Sequence, residues 1–307
     1  MSDRPLAILF YHRVLPSTDP LFPDETTAQV FTRHVAALAR FFNVLPLDMA
    51  VARLANGTLP PRAACVTFDD GYRDNYSIAL PILRRYGMPA TFFIASGYVA
   101  ESRPMWNDVV IEGVRNATAA RLDLSQFDLG SFPLGSLQER RLAAESIIGA
   151  SKYWPMVERE QLAAAVARLG AGAPATRLMM NVDEVRELHR AGMTIGAHTV
   201  THPILSRVTV EEGAREIAAG REFLESVVNA PVSLFAYPNG RPGQDYEAAH
   251  VDLVRQAGFA AAVSTRPAMA SRTSDPLQLP RLGIWDRTAP PFLARMLWRF
   301  MRPQTAA

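Results

Sequence analysis

Short segments made almost entirely of apolar residues alternate with helical patterns along this chain. The clearest are residues 6–11, 63–68 and 90–95, and each ends at a polar or small residue. Continuous apolar segments of this length are typical of strands that are buried on both faces of a parallel sheet. Repeated strand–helix units with right-handed crossovers therefore predict an α/β fold.

A central segment interrupts this alternation. Residues of about 101–172 carry charged helical patterns, which we interpret as an inserted helical segment, and strands and helices resume between residues 182 and 284. An α/β barrel with an insertion can use all 307 residues. We therefore predict a single domain over 1–307, with an N-terminal strand and helices over 1–62, a barrel core over 63–284 and an amphipathic helix over 285–307.

Composition excludes some classes of protein. A formal net charge of +2 gives no basis for nucleic-acid binding, and the single cysteine, Cys65, excludes an internal disulfide and a cysteine-based zinc cluster. The apolar run at residues 6–11 is too short for a secretion signal, and no run approaches the ~20 apolar residues of a membrane-spanning helix. We therefore expect a cytoplasmic protein.

Polar clusters follow three of the predicted strands. They are Asp69-Asp70, the pair His198 and His202, and residues 237–241. The C-terminal ends of parallel barrel strands meet on one face, where the active sites of such enzymes lie. We therefore expect these clusters to form one site.

Two of these clusters together indicate a metal site. His198 and His202 are four residues apart and could bind one ion, although capping or core histidines would show the same spacing. Asp69 and Asp70 are costly neighbours unless a cation neutralises one of them, the alternative being a solvated turn at Gly71. A joint Asp/His/His site explains both pairs and leaves one aspartate as a base. A non-haem iron site would leave that second aspartate unexplained.

These motifs carry a family resemblance. The chain resembles the polysaccharide deacetylase family, which shares the NodB homology domain, in the segments Thr67-Phe68-Asp69-Asp70-Gly71, His198-Thr199-x-x-His202 and Phe235-Ala236-Tyr237-Pro238-Asn239-Gly240. The resemblance covers about residues 63–284 and implies a distorted parallel (β/α) barrel. It also implies that Asp70, His198 and His202 bind one divalent metal ion, usually Zn²⁺, and that Asp69 is the catalytic base.

Two family features are altered in this sequence. Ala236 stands where the family's third motif has an arginine that pairs with the base, and the late Leu-x-His motif that supplies the acid is not evident. Our hypothesis is that Arg281, at the end of the last barrel strand, pairs with Asp69; the alternative is a surface salt bridge. His12, after the first strand, is our candidate acid, and the alternative is a structural histidine.

Five further residues are candidate substrate contacts. Trp106, Tyr72, Tyr237 and Trp285 could line a sugar groove with their aromatic faces, although packing is the more common role of such residues. A backbone N–H near Asn239 could stabilise the oxyanion.

The resemblance implies hydrolysis of an N-acetyl group on a sugar. The expected substrate is a polysaccharide, an oligosaccharide or a lipid-linked glycan precursor. The alternatives are a hydrolase of small non-sugar amides and a catalytically impaired carbohydrate-binding homologue.

The C-terminal segment has an amphipathic pattern. After Pro290-Pro291, six apolar residues fall on one helical face and arginines on the other: Phe292, Leu293, Met296, Leu297, Phe300 and Met301 against Arg295, Arg299 and Arg302. This pattern fits peripheral contact with the inner face of an anionic membrane, or packing as the last layer of the barrel. The sequence leaves both open.

Overall fold

A computed structural model describes residues 4–168 and 177–301. Ten strands lie in these residues: β1 Leu6–Tyr11, β2 Asn43–Val44, β3 Ala63–Phe68, β4 Thr91–Ile94, β5 Arg121–Asp123, β6 Ser131–Pro133, β7 Thr194–Ala197, β8 Leu234–Ala236, β9 Ala261–Pro267 and β10 Leu279–Gly283. The predicted strands at residues 6–11, 63–68 and 90–95 correspond to β1, β3 and β4.

Eleven α-helices lie in the same described residues: α1 Ala28–Phe41, α2 Leu47–Ala55, α3 Leu80–Arg85, α4 Ser96–Glu101, α5 Trp106–Asn116, α6 Leu137–Ser151, α7 Met156–Ala167, α8 Val182–Arg190, α9 Val210–Val228, α10 Ala248–Gln256 and α11 Ala289–Met301. Local side chains fix several starts. Thr27 accepts a hydrogen bond from the Val30 N–H at the start of α1, and Thr209 and Glu212 form a capping box on α9.

Seven parallel strands close into a barrel. Around the ring, β1, β10, β9, β8, β7, β4 and β3 are neighbours, and β3 pairs with β1 over six residues to complete it. β2 pairs with the first two residues of β3, Ala63 and Ala64, whereas β4 pairs with the last two. The barrel confirms the predicted α/β class and places the C-terminal ends of its seven strands on one face.

The chain divides into two compact units. The first contains the barrel and comprises residues 1–17, 26–101 and 180–307, whereas the second comprises residues 18–25 and 102–179. The predicted insertion covers residues 101–172 and does not include residues 18–25, which the structure places in the second unit. An ion pair explains their membership, because Asp19 accepts two hydrogen bonds from Arg115 on α5, at 2.6 and 2.8 Å.

The second unit has its own apolar core, built from α5, α6, α7 and the β5–β6 hairpin. Arg140 on α6 joins these parts. Its guanidinium donates to the Leu134 carbonyl and to three carbonyls at the end of α5, those of Val114, Arg115 and Ala117, at 2.7–2.9 Å. One side chain thereby satisfies carbonyls that the end of α5 leaves without helical partners.

The apolar face of α11 packs on the barrel unit. Phe292 and Met296 are fully buried, and Leu293, Leu297 and Phe300 pack against the same core. Phe292 stacks on His34 of α1 with 4.5 Å between ring centroids, and His34 in turn bonds to the Asp286 carbonyl. Most of the face proposed for membrane contact is therefore covered by protein. Met301 is an exception at 75% exposure, and Arg302 lies outside the described residues.

We expect Phe292→Ala to lower the free energy of unfolding by about 3–5 kcal/mol, because the side chain is fully buried. The matched control, Met301→Ala at the exposed C-terminal end of the same helix, should change it by less than about 0.5 kcal/mol. Denaturant unfolding of the full chain measures both. Equal, small effects would show that α11 is not a layer of the core.

None of the helices in the described residues is long and apolar enough to cross a bilayer.

Candidate active site

The ends of four barrel strands bring the predicted polar residues together. Asp69 and Asp70 follow β3, His198 follows β7, His12 follows β1, and Arg281 lies in β10. His202 joins them through the loop after β7. Because β3, β1 and β10 are consecutive in the ring, residues more than 200 positions apart in the chain lie side by side.

Asp70, His198 and His202 form a candidate metal centre. Asp70 Oδ1 lies 3.4 Å from Nε2 of His198 and 3.4 Å from Nε2 of His202, and the three ligand atoms lie within 4.8 Å of one another. Asp70 Oδ1 is buried, and no residue in the described parts of the chain donates a well-formed hydrogen bond to it. A buried carboxylate oxygen facing two imidazole nitrogens is the arrangement that a divalent cation would complete.

The surroundings favour the ligand forms of Asp70 and His202 and orient the ring of His198. Burial lowers the pKa of His202 to about 4, although the negative charge of Asp70 acts to raise it. The His202 imidazole is therefore neutral at pH 7. Burial acts to raise the pKa of Asp70, but the imidazoles of His198 and His202 outweigh it and the pKa is lowered. His198 Nδ1 lies 2.7 Å from the Ala236 carbonyl oxygen, and this contact orients the ring with Nε2 towards Asp70.

Asp69 forms a buried, bidentate pair with Arg281. The two guanidinium nitrogens donate to the two carboxylate oxygens at 2.7 Å each, and Arg281 is completely buried. Arg281 also donates to the Ser264 carbonyl and the Thr67 hydroxyl, which fix its orientation. Burial raises the pKa of Asp69, but the charge and hydrogen bonds of Arg281 outweigh it, so the pKa lies below its usual value. Asp69 is therefore an anion at neutral pH.

His12 borders this pair and is exposed. Its ring meets Phe10 edge to face at 5.7 Å, and its positive form would lower the pKa of both Asp69 and Asp70. Hydrogen bonds with Asp74 and Asn75 fix the backbone at and after His12. Asn75 Nδ2 donates to the His12 carbonyl at 2.8 Å, and Asp74 accepts from the Val14 N–H and the Arg13 guanidinium.

Two of the predicted sugar contacts are wrong as aromatic platforms. The Tyr237 ring is 0% exposed, stacks on Tyr246 at 3.8 Å and donates its hydroxyl to the Leu277 carbonyl. Tyr72 is also buried, with the Arg13 guanidinium over its ring. A residue that follows a strand can direct its side chain either to the open face of the barrel or into the apolar core. Both of these rings are buried in the core.

Two further predicted contacts, Asn239 and Trp106, lie in different units. Asn239 is half-buried in the loop after β8, with a φ of +60° and its carbonyl accepting from Thr265 Oγ1. Trp106 starts α5 in the second unit, where the guanidinium of Arg159 lies over its ring at 5.3 Å and its side chain packs on that unit's core.

Comparison with known proteins decides the family. The model of the family described as polysaccharide deacetylase matches residues 56–127 and 150–262, together more than half of the chain. The chain belongs to the polysaccharide deacetylase family.

Similar proteins cover nearly the whole of this family member. A relative from Bacillus subtilis (strain 168), YxkH, is 18% identical over 281 residues, which are 91% of this chain and 71% of YxkH. Among solved structures, the Streptococcus pyogenes deacetylase PplD in complex with acetate superposes with a TM-score of 0.66 and 18% identity, covering 98% of this chain and 100% of that one. IcaB from Ammonifex degensii gives 0.62 and 18%, with coverage of 96% and 98%. At such identities these structures establish the shared fold.

Sequence reasoning missed several residues that support this site. The Ala236 carbonyl and Asn75 bond to His198 and His12. Asp74 and the α9 residue Glu216 bond instead to backbone N–H groups close to the site histidines in the chain. Asp74 and Asn75 lie four and five positions beyond Asp70, and this nearness to the aspartate pair is the one sequence signal that could have indicated them. Glu216 carries no such signal.

Removal of the Arg281 charge should alter the pH dependence of catalysis. In Arg281→Met, the pKa of Asp69 should rise, because burial raises it and the guanidinium charge that lowers it is gone. The acid limb of the kcat/KM profile should therefore move to higher pH. Loss of one partner of a buried pair should also cost about 3–5 kcal/mol of stability. Arg281→Lys, which keeps the charge without the bidentate geometry, should give a smaller shift. An unchanged acid limb in both variants would exclude this role of Arg281.

Proposed function

We propose that this deacetylase-family member hydrolyses N-acetyl groups on a sugar with the help of one divalent metal ion, most simply Zn²⁺. The observation that carries the proposal is the buried Asp70 Oδ1, which lies 3.4 Å from the Nε2 atoms of His198 and His202. The anionic Asp69 stands beside it in sequence and space. Family membership supports the same reaction class.

The donor set fits a divalent metal with open coordination positions. One carboxylate and two imidazole nitrogens suit zinc, and three protein ligands leave room for water and a substrate oxygen. A metal bound there would supply Lewis-acid activation of water and of the amide carbonyl. Asp70, His198 and His202 would hold it, and Asp69 would remain outside the ligand set because Arg281 engages both of its oxygens.

Asp69 and His12 divide the proton transfers in this proposal. Asp69 accepts a proton from the attacking water, and Arg281 keeps it ionised for that purpose. His12, in its protonated form, donates a proton to the sugar nitrogen as the C–N bond breaks. A backbone N–H near Asn239 is our candidate donor to the oxyanion. Water is consumed, and acetate and a free sugar amine are formed.

An exposed aromatic ring favours a sugar over a small amide. Trp285 follows β10 and is 78% exposed. Its indole lies close to Gly283, because a Cβ placed on that glycine would be only 3.0 Å from the indole Nε1. The same added Cβ would lie 3.3 Å from Phe10, the ring that meets His12 and Arg281. An exposed indole close to Phe10, whose ring meets that of His12, can stack on the apolar face of a pyranose ring. A lipid-linked glycan precursor in the cytoplasm is one of the N-acetylated sugars that we propose as substrates.

A substrate panel tests this function. Acetate release should be measured from N-acetylated oligosaccharides, a lipid-linked N-acetyl sugar and small acetylated amines, each before and after chelator treatment. We expect release from the sugar substrates alone, lost with chelator and restored by Zn²⁺. Release from small amines alone would favour the non-sugar amidase, and saturable sugar binding without acetate would favour the impaired binding homologue.

The acid assignment has its own test. His12→Gln should lower kcat by about 10²-fold or more on substrates with a poor amine leaving group. It should remove the alkaline limb of the pH profile, while metal content stays at the wild-type level. The matched control is His189→Gln on α8, outside the site. A wild-type alkaline limb in His12→Gln would make His12 structural.

A further inference from the structure

The loop between the two metal-ligating histidines has an unusual backbone. In this histidine loop, residues 198–202, Thr199 has a φ of +64° and His202 a φ of +54°. Positive φ is rare for any residue with a Cβ and is a true outlier for a β-branched one. Such a conformation persists only when its surroundings impose it. The contacts that hold this loop therefore determine where the two imidazoles point.

Helix α4 holds the carbonyl side of the loop. The N–H groups of Ser96 and Gly97 donate to the carbonyls of Thr199 and Val200 at 3.1 and 2.9 Å. The Tyr98 hydroxyl donates to the Thr201 carbonyl at 3.1 Å. A Cβ at position 97 would lie 2.9 Å from the Val200 oxygen, so this close approach requires glycine.

Helix α9 holds the N–H side through one carboxylate. Glu216 Oε2 accepts from the N–H groups of Val200 and Thr201 at 2.9 and 2.8 Å, and Oε1 accepts from the Thr201 hydroxyl at 2.7 Å. One turn further along, a Cβ at Gly220 would lie 3.0 Å from the Thr199 carbonyl carbon and oxygen. Gly220 thus lets α9 lie close enough for Glu216 to reach the loop.

We propose that Glu216 is a positioning residue for the metal centre. It contacts none of the three ligand side chains, and it acts by fixing the strained backbone that joins His198 to His202. Without its three hydrogen bonds, the N–H side of the loop loses its support, and Thr199 and His202 can relax from positive φ. The His202 imidazole, which lies at the end of the loop, then moves relative to Asp70. This inference rests on the proposed metal-dependent function.

The test compares metal binding among matched variants, in the absence of any sugar. Dissociation constants for Zn²⁺ are measured by chelator competition, and the visible spectrum of the Co²⁺-loaded protein reports ligand geometry. Glu216→Ala and Glu216→Asp should weaken Zn²⁺ binding by about tenfold or more and alter the Co²⁺ spectrum. Glu216→Gln should stay close to wild type, because an amide oxygen can accept both N–H bonds and the amide nitrogen can donate to the Thr201 hydroxyl. Glu222→Gln, exposed on the same helix, is the control.

A second readout needs no metal. In metal-free protein, the amides of Val200 and Thr201 should exchange with solvent faster in Glu216→Ala than in wild type. If Glu216→Ala does not fold, Glu216→Asp carries the comparison, because it keeps the carboxylate but shortens its reach.

Different failures have different meanings. Wild-type affinity and spectrum in Glu216→Ala and Glu216→Asp would overturn the positioning role and leave the proposed function intact. A loss in Glu216→Gln as large as in Glu216→Ala would show that charge, and not hydrogen bonding, is what matters, and would also overturn it. A wild-type protein that binds no metal would overturn the proposed function together with this inference.

Discussion

His202→Ala is expected to abolish stoichiometric metal binding and reduce acetate release to the background rate. The substitution leaves Asp70 and His198 as the remaining ligands, and two protein ligands do not hold a divalent ion firmly. His202 is a sharper probe than His198 because its side chain is 18% exposed, compared with 2% for His198, and its truncation disturbs the core less. Metal content by elemental analysis and acetate release on one preparation measure both effects.

The control for this substitution is His189→Ala, a histidine on α8 outside the site. It should keep both metal and activity. Retention of one equivalent of metal by His202→Ala would show that His202 is not a ligand, even if activity were lost.

Asp69→Asn should retain metal and lose about 10²–10⁴-fold in kcat, the usual worth of a general base. The amide cannot accept a proton at neutral pH, and Asp70 remains in place to bind the metal. Steady-state kinetics and metal analysis together separate the two aspartates. Metal loss in this variant would mean that Asp69 shares or exchanges the ligand role with Asp70.

Asp69→Asn also leaves the buried Arg281 charge without its partner, which costs about 3–5 kcal/mol and could itself reduce activity. The double variant Asp69→Asn/Arg281→Met removes that charge. We expect it to recover much of the lost stability and to remain inactive. Recovery of activity along with stability would mean that the single substitution acts through misfolding.

The barrel and the centre of the site were accessible from the sequence because both depend on local patterns. Buried strands appear as continuous apolar runs, and the polar residues that follow them must lie on one face of a closed barrel. Arg281 was paired with Asp69 on two grounds: it lies at the end of the last predicted strand, and the family resemblance implies an arginine partner that Ala236 does not supply. The structure contains that ion pair.

Side-chain direction at the strand ends was not accessible. Tyr72 and Tyr237 follow the strands as a groove-lining residue would, but their rings turn into the packing, where Tyr246 and Arg13 meet them. A strand end gives the position of a residue and leaves open which layer its ring enters. Trp285, two residues past β10 and also among the predicted candidates, is the ring that is exposed.

Long-range partners were equally hidden. The amphipathic pattern of α11 was readable, but only the stacking of Phe292 on His34 shows what covers its apolar face. Residues 18–25 join the second unit through the Asp19–Arg115 pair, whose members are 96 positions apart. Glu216 supports the histidine loop from α9, but the sequence pattern of that helix does not distinguish Glu216 from its other glutamates.

The most direct test of metal-dependent sugar deacetylation is a metal titration of the metal-free protein with an N-acetylated oligosaccharide as substrate. We predict that acetate release rises linearly with added Zn²⁺, reaches a plateau at one ion per chain, and is matched by an equal amount of free sugar amine. Full activity before metal is added, or a fully loaded protein that releases no acetate from any N-acetylated sugar, would contradict it.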